Sequence, residues 1–374
     1  MKITCNRSVL HQALQHVGRV VSGRTPQPIL NNVLLEVAGS SLRVVGYDME
    51  IGAQSDVAAE VEEEGALTVP ARQLVELVAG LPDATVELSS EERSVLELTC
   101  ASSQYTILGL PAKDYPALPK VKSEAGFTVS QALMRRMIQS TIFAASGDEA
   151  RAILTGVLLK WEGGALKMVA TDSYRLAVKT VPPGEVTPLG AEQPADWEVI
   201  IPARALQELN RLLDPADEGT PLEARVGEQQ IAFAVGPYTL VARLIEGQFP
   251  NYARVIPSAA ERTITVARET LLAAIRRAAI VARAEASKLV FNAREGTLTI
   301  KAESGDVGKA HEELAASVEG DEIEIAFSAE YLTDVLGVMD SEAVVWQFTG
   351  PLDKSLLKAA DDPDYLYVVM PMQL

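Results

Sequence analysis

The chain has 374 residues, of which 48% are apolar and 22% charged, and 33 Lys+Arg against 51 Asp+Glu leave a net charge of −18. That apolar share excludes a disordered chain, and the length accommodates two or three domains, each able to bury a core. The acidic balance argues against a protein held to nucleic acid by direct attraction, because such proteins gather Lys and Arg to displace counterions.

In chain order, Ile3-Thr4-Cys5 reads as a strand that leads into a helix around Val9–Val20, with apolar residues at helical spacing. Ile29–Val37, with Gly39 and Leu42 beyond it, reads as a hairpin. Val69-Pro70-Ala71-Arg72-Gln73-Leu74-Val75-Glu76-Leu77 joins a strand end to an amphipathic helix that continues to Leu81. Pro and charge cluster from Leu110 to Lys122, which marks a linker. The series then recurs. Phe127-Thr128-Val129 leads to a helix over Leu133–Ser140, and Ile153–Trp161 repeats the first hairpin, with Gly163, Leu166 and Asp172 standing where Gly39, Leu42 and Asp48 stood. Ile201-Pro202-Ala203-Arg204-Ala205-Leu206-Gln207-Glu208-Leu209 repeats the strand-to-helix segment and continues to Leu213. The Pro-rich stretch from Val181 to Pro194 reads as a surface loop inside this second unit. A second linker runs from Phe249 to Glu261. A fainter third copy follows, with Ile264–Val266 before a helix over Leu271–Val281, a hairpin at Lys288–Asn292 and Gly296–Ile300, and Phe327–Val335 continuing to Met339. Leu10, Met134 and Leu271 hold equivalent places.

Self-similarity of this kind implies one architecture used three times. The expected fold class is α+β, with two helices packed on antiparallel sheet in each of three domains, 1–122, 123–256 and 257–374.

Chemistry is hard to find. There is no Gly-rich phosphate loop, no HExxH, no CxxC and no nucleophile elbow. Pairs such as Asp361-Asp362 read as solvated surface, and a repeated framework describes architecture where an enzyme would show one unrepeated cluster. No catalytic residue, metal or cofactor is expected. His11, His16 and His311 are few for a metalloenzyme, and His11 and His16, five apart on a helix, read as polar surface. Cys5 and Cys100 make no disulfide framework and fit a reducing, cytoplasmic setting. Met1–Arg7 has no signal-peptide core, and no apolar run approaches the ~18 residues of a membrane span. The helices carry Arg7, Arg19, Arg135, Arg136, Arg268, Arg276, Arg277 and Arg283, then Arg72, Arg204 and Arg211. Two readings stay open: ordinary solvated faces, or one basic layer with the acids kept to loops and strands, as in Glu60–Glu64.

The repeated Val69–Arg72 and Ile201–Arg204, the segments Ala170–Ala177 and Glu246–Pro257, and the terminus Tyr367–Leu374 together resemble the bacterial DNA polymerase III beta subunit family, the sliding clamps, over the whole chain and in order. The resemblance implies a head-to-tail homodimeric ring that encircles double-stranded DNA without reading its sequence and tethers the replicative polymerase. It implies partners that share one peptide-binding pocket, a clamp loader among them, and no membrane. Carried onto this chain, the pocket comprises Leu154, Thr171, Ser173, Tyr174, Arg175, Leu176, Pro250, Arg254, Val255, Ser328, Tyr331, Ser355, Val368, Val369, Met370, Pro371 and Met372. Its Val, Leu, Pro and Met suit Leu or Phe anchors, and its Arg residues suit peptide carbonyls or carboxylates. DNA contacts fall at Arg24 and Arg72, with Arg151 the one basic residue of a further loop; the dimer interface falls at Tyr105, Ile107, Leu108, Ile280 and Val281. Ser173-Tyr174, Ser328 and Gln373 depart from the family pattern, which bears on peptide preference. A specialised paralogue, such as an inhibitor-tolerant clamp, and a carboxylate-based hydrolase are the alternatives.

Overall fold

The computed structural model describes residues 1–21, 27–90, 94–122, 125–190, 195–283 and 286–374. Among these residues there are six α-helices: α1 (Arg7–Val20), α2 (Ala71–Gly80), α3 (Gln131–Thr141), α4 (Ala203–Leu212), α5 (Arg268–Ala282) and α6 (Ala329–Val338). The other regular elements are antiparallel strands and short 3-10 turns. The chain divides into two compact units, one of Met1–Met134, Thr187–Pro194 and Arg204–Leu244, the other of Arg135–Val186, Ala195–Ala203 and Ile245–Leu374.

The threefold repeat is visible as a repeated register. In each copy the strand that runs into the second helix lies antiparallel to the first hairpin strand, with Pro70 opposite Asn32, Pro202 opposite Gly156 and Ser328 opposite Lys288. The first helix starts one or two residues after its strand in every copy. In α1 the stripe Leu10, Ala13, Leu14, Val17 and Val20 is buried, and the Asn6 carboxamide caps the start by accepting the Ser8 N–H at 2.8 Å.

The first residue of each first helix also ties that copy together. Arg7 donates to the carbonyls of Val78 and Ala79 at the end of α2. Gln131 accepts the Asp214 N–H at 2.9 Å and donates to Thr220 O at 2.8 Å, just past α4. Arg268 donates to Leu336 O at 3.0 Å and Ser341 O at 2.9 Å, at the end of α6. Helix C-termini leave carbonyls without intrahelical donors, and Arg7 and Arg268 supply them, whereas Gln131 ties down the segment that follows α4. The basic-layer reading is corrected to that extent, since Arg7 and Arg268 are spent on architecture, whereas Arg19 and Arg276 are exposed.

In the first unit a five-stranded sheet runs in the order Glu60–Glu63, Lys2–Asn6, Thr85–Ser89, Val95–Cys100, Ser103–Leu108. A ten-stranded sheet runs from Leu110–Pro111 through Gly65–Pro70, Asn32–Ala38, Ser41–Tyr47 and Ile51–Ala58 to Tyr238–Arg243, Gln230–Val235, Leu222–Val226, Gly126–Val129 and Thr187–Pro188. The last of these corrects the expected surface loop. Val186 is buried, and Thr187 and Pro188 pair with Thr128 and Phe127 at the sheet edge, where a residue without an N–H is tolerated. Residues 191–194 lie outside the described part. Tyr115 fastens the linker to the ten-stranded sheet: its buried hydroxyl accepts the Tyr47 N–H at 2.9 Å and donates to Asn32 O at 3.2 Å.

His16 is not free surface. Its ring lies 4.6 Å from that of Tyr238, half-buried. Burial and the neighbouring Arg19 push its pKa below 6.5. The unfolded chain therefore binds this proton more readily, and the stabilising contribution present above pH 6.5 falls away as the pH drops through 6.5 and on toward the folded value. Thermal melts at pH 7.5 and 5.5 should show a smaller acid-induced loss in His16→Gln than in the wild type; equal losses would remove His16 from the account.

In the second unit a nine-stranded sheet runs Trp197–Pro202, Gly156–Glu162, Ala165–Thr171, Arg175–Val181, Tyr365–Val369, Ser355–Ala359, Ala343–Phe348, Arg262–Ala267, Ser317–Glu319. A four-stranded sheet runs Gly308–Ala315, Thr297–Ser304, Lys288–Arg294, Ile323–Ser328. Trp346 centres an aromatic core, its ring 4.9 Å from Phe348, 5.1 Å from Phe327 and 5.2 Å from Phe291.

Candidate functional site

The C-terminal strand builds the site in the second unit. Leu176 lies opposite Val368, and Arg175 opposite Val369. Past the ladder, the Met370 N–H donates to Tyr174 O at 2.8 Å and the Met372 N–H to Ala326 O at 2.7 Å, so the terminal run passes from one sheet of this unit to the other. The floor is apolar: Leu158, Val169, Leu176, Val178, Phe249 and Val368 form one buried cluster, with Ile153, Tyr252 and Ile256 packed against it. Above that floor stand Tyr174, 59% exposed, Met370, 39%, and Val255, 38%. Pro250, Arg254 and Ser173 are exposed; Thr171, Ser328, Tyr331, Pro371 and Met372 are half-buried; Leu154 and Val369 are buried. Ser355 is fully buried and accepts the Trp346 indole N–H at 2.9 Å, which places it beneath the surface.

Arg175 organises this site. Its Nε donates to Asp172 Oδ2 at 3.0 Å, its Nη1 to Asp334 Oδ2 at 2.6 Å and its Nη2 to the Phe143 carbonyl at 2.7 Å. The guanidinium lies 4.4 Å from the centre of the Tyr331 ring, a cation–π geometry. Burial opposes its charge, but Asp334 and Asp172 outweigh burial and raise its pKa. Only 10% of the side chain is exposed. Arg175 is thus engaged within its own unit through all three guanidinium nitrogens, whereas Arg254 is exposed. Asp334 and Phe143 were missed from the sequence. Only the Asp48 and Asp172 match between repeats pointed toward this network. Both aspartates make the same turn, Asp172 Oδ1 accepting the N–H groups of Tyr174 and Arg175, and Asp48 Oδ1 those of Glu50 and Ile51.

Beside the floor, a cleft of about 720 Å³ runs under the 248–256 segment. Lys160 and Lys167 flank Glu162 there, at 2.6 and 2.7 Å, and their hydrogen bonds hold its carboxyl at about 2. Of the expected pocket residues only Pro250 lines this cleft.

The other expected residues fall elsewhere. Arg24 lies outside the described residues. Arg72 is exposed on α2 and pairs with Glu76 at 2.8 Å. Arg151 turns toward the Asp172–Ser173 turn, donating from Nη1 to Asp172 O at 2.9 Å. Tyr105, Ile107 and Leu108 lie on Ser103–Leu108, the outer strand of the five-stranded sheet, with Leu108 75% exposed. Ile280, 60% exposed, and Val281 lie on the last turn of α5. That helix packs against Gly308–Ala315, the outer strand of the four-stranded sheet, where Arg277 forks onto Glu312 at 2.9 and 2.6 Å and lowers the carboxyl's pKa. No helix among the described residues is long and apolar enough to cross a membrane.

Three strand–helix copies with an apolar groove against the C-terminal strand define a clamp-type repeat protein. Models of the DNA polymerase III beta subunit match residues 1–119 as its N-terminal domain, 128–251 as its central domain and 253–373 as its C-terminal domain. The chain is 34% identical to the beta sliding clamps of Pseudomonas aeruginosa and Escherichia coli, with all of each chain covered. The crystal structure of the Pseudomonas aeruginosa subunit matches with a TM-score of 0.93 at 33% identity, and that of the Bacillus subtilis sliding clamp with 0.94 at 28%, the first covering both chains completely and the second 100% of this chain and 99% of the other. A Pseudomonas aeruginosa sliding clamp bound to griselimycin also matches, with a TM-score of 0.93 at 33% identity and full coverage of both chains. The protein belongs to the DNA polymerase III beta subunit family, and its fold is three DNA-clamp domains of helices on antiparallel sheet.

Proposed function

We propose that this protein is a DNA sliding clamp, a non-enzymatic processivity factor that encircles duplex DNA and tethers the replicative polymerase. The observation that carries this reading is the end-to-end likeness to proteins named beta sliding clamp, with every domain in order. The ring is made by two copies joined head to tail, domains 1–122, 123–256 and 257–374 contributing in turn. Two open sheet edges support that closure. Ser103–Leu108 ends one sheet and Gly308–Ala315 another, and apolar side chains stand beside both. An exposed edge of this kind pairs with another chain unless something covers it, and a heterologous contact that closes gives a ring. In this reading Arg24, Arg72 and the exposed helix arginines are the candidates for phosphate contact, and such contacts position without reading sequence. The groove over Leu176 and Val368 takes partner peptides, including those of the polymerase and the clamp loader; the griselimycin complex of the Pseudomonas aeruginosa relative supports a ligand site on this fold.

The test is retention. Loaded onto nicked circular DNA, the protein should stay bound through gel filtration in high salt, and it should leave once the circle is cut. Equal retention on circular and linear DNA would mean adhesion, not encirclement, and would overturn the reading.

A further inference from the structure

Ser173 has φ +83°, the left-handed region that a residue with a Cβ rarely adopts. Such a residue persists only where its surroundings over-determine it. Arg151 supplies that constraint. Its Nε donates to Asp148 Oδ2 at 3.0 Å and its Nη2 to Ser146 Oγ at 3.0 Å, which fixes the guanidinium. Its Nη1 then reaches Asp172 O at 2.9 Å and Ser173 Oγ at 3.4 Å. From the other side the Ser173 N–H donates to Thr171 Oγ1 at 3.2 Å. The next residue, Tyr174, is exposed over the groove, and its carbonyl receives Met370, so the turn sets both. The first repeat makes the same device with other residues. Met49 has φ +77°, and Arg204 braces its turn by donating to Asp48 Oδ2 at 2.5 Å. Arg151 also sits two residues from Ile153, which packs so closely on Gly247 that a Cβ there would lie 2.8 Å from Ile153 Cδ1. The short segment that carries Arg151 thus rests against two walls of the groove, the 172–174 turn and the start of the 246–257 segment.

We propose that Arg151 is a positioning residue of the peptide groove: it holds the Asp172–Ser173 turn left-handed and so places Tyr174 and Met370 for a ligand, and it is not a phosphate contact. The inference rests on the groove assigned above. It is tested on the full chain with griselimycin as the probe, by titration calorimetry. Arg151→Ala should weaken binding about tenfold, and Arg151→Lys should not restore it, because one ammonium cannot span the Ser146–Asp148 side and the turn together. Adding Ser173→Gly to Arg151→Ala should bring affinity back to within about threefold of the wild type, since glycine takes this φ without a brace. Once loaded, Arg151→Ala should stay on circular DNA as long as the wild type, whatever its rate of loading. If Arg151→Ala binds griselimycin as tightly as the wild type, or the added glycine restores nothing, or the variant loses only DNA retention, the inference falls. A wild-type chain that binds no griselimycin overturns the groove assignment itself and this inference with it.

Discussion

Leu108→Lys should leave single chains that slip from circular DNA. Leu108 is 75% exposed at the end of the outer strand Ser103–Leu108, beside the 41% exposed Tyr105 of the same strand, so an open sheet edge and exposed apolar side chains coincide there. In the ring proposed above, that edge is covered by the last turn of α5 of a second copy, which carries the exposed Ile280. A lysine there puts an ammonium into that apolar contact, and burying an unpaired charge costs several kcal/mol. A loss of about 2.7 kcal/mol already raises the dimer dissociation constant about a hundredfold. Light scattering at micromolar concentration should give the mass of one chain for Leu108→Lys, with an unchanged circular dichroism spectrum. Leu352→Lys, at an apolar residue of similar exposure outside both edges, should remain a dimer. A dimeric Leu108→Lys would move the interface elsewhere.

The second large effect is on stability. Arg175→Met removes the cation that Asp172 and Asp334 share and leaves the Phe143 carbonyl without its donor. Asp172 has only 12% of its side chain exposed, so its charge would stand nearly unscreened. Breaking a buried pair from one side costs about 3–5 kcal/mol. Chemical denaturation should therefore show the unit that contains residues 245–374 unfolding at lower urea. Asp334→Asn alone should cost less, because Asp334 keeps 33% exposure. In the double variant Asp334→Asn should recover part of the Arg175→Met loss, a coupling of about 0.5–3 kcal/mol. Strict additivity would mean that the two side chains act separately.

How much of this was legible in the sequence follows from what each pattern encodes. Helical spacing and the Pro-Ala-Arg repeats marked the strand-to-helix joints in the first two copies. The third copy has Ser328 in place of the proline and was faint, yet its register is the same, because the ladder depends on alternating burial and not on one residue type. The pairing of Tyr238–Arg243 with Ile51–Ala58 was invisible, since period-two alternation says which face a strand buries and nothing about its neighbour. Arginines were read as a charge on a helix face. Where the fork points depends on which carbonyls lie within reach, and for Arg7, Arg268 and Arg175 these come from residues far along the chain. His16 likewise could not announce Tyr238. The groove was legible as residue types carried by the family resemblance, whereas its frame of Asp172, Arg175 and Asp334 was not.

The ten-stranded sheet sets an order of events during synthesis. Ile51–Ala58 emerges early but finds its outer neighbour, Tyr238–Arg243, only when nearly two-thirds of the chain has been made. At usual translation speeds that interval is on the order of 10 s. Throughout it, the edge of Ile51–Ala58 away from Ser41–Tyr47 presents unpaired backbone N–H and C=O groups. The first third of this protein therefore emerges with one sheet edge open, and it is during that wait that a nascent chain of this kind is most open to pairing with another copy of itself.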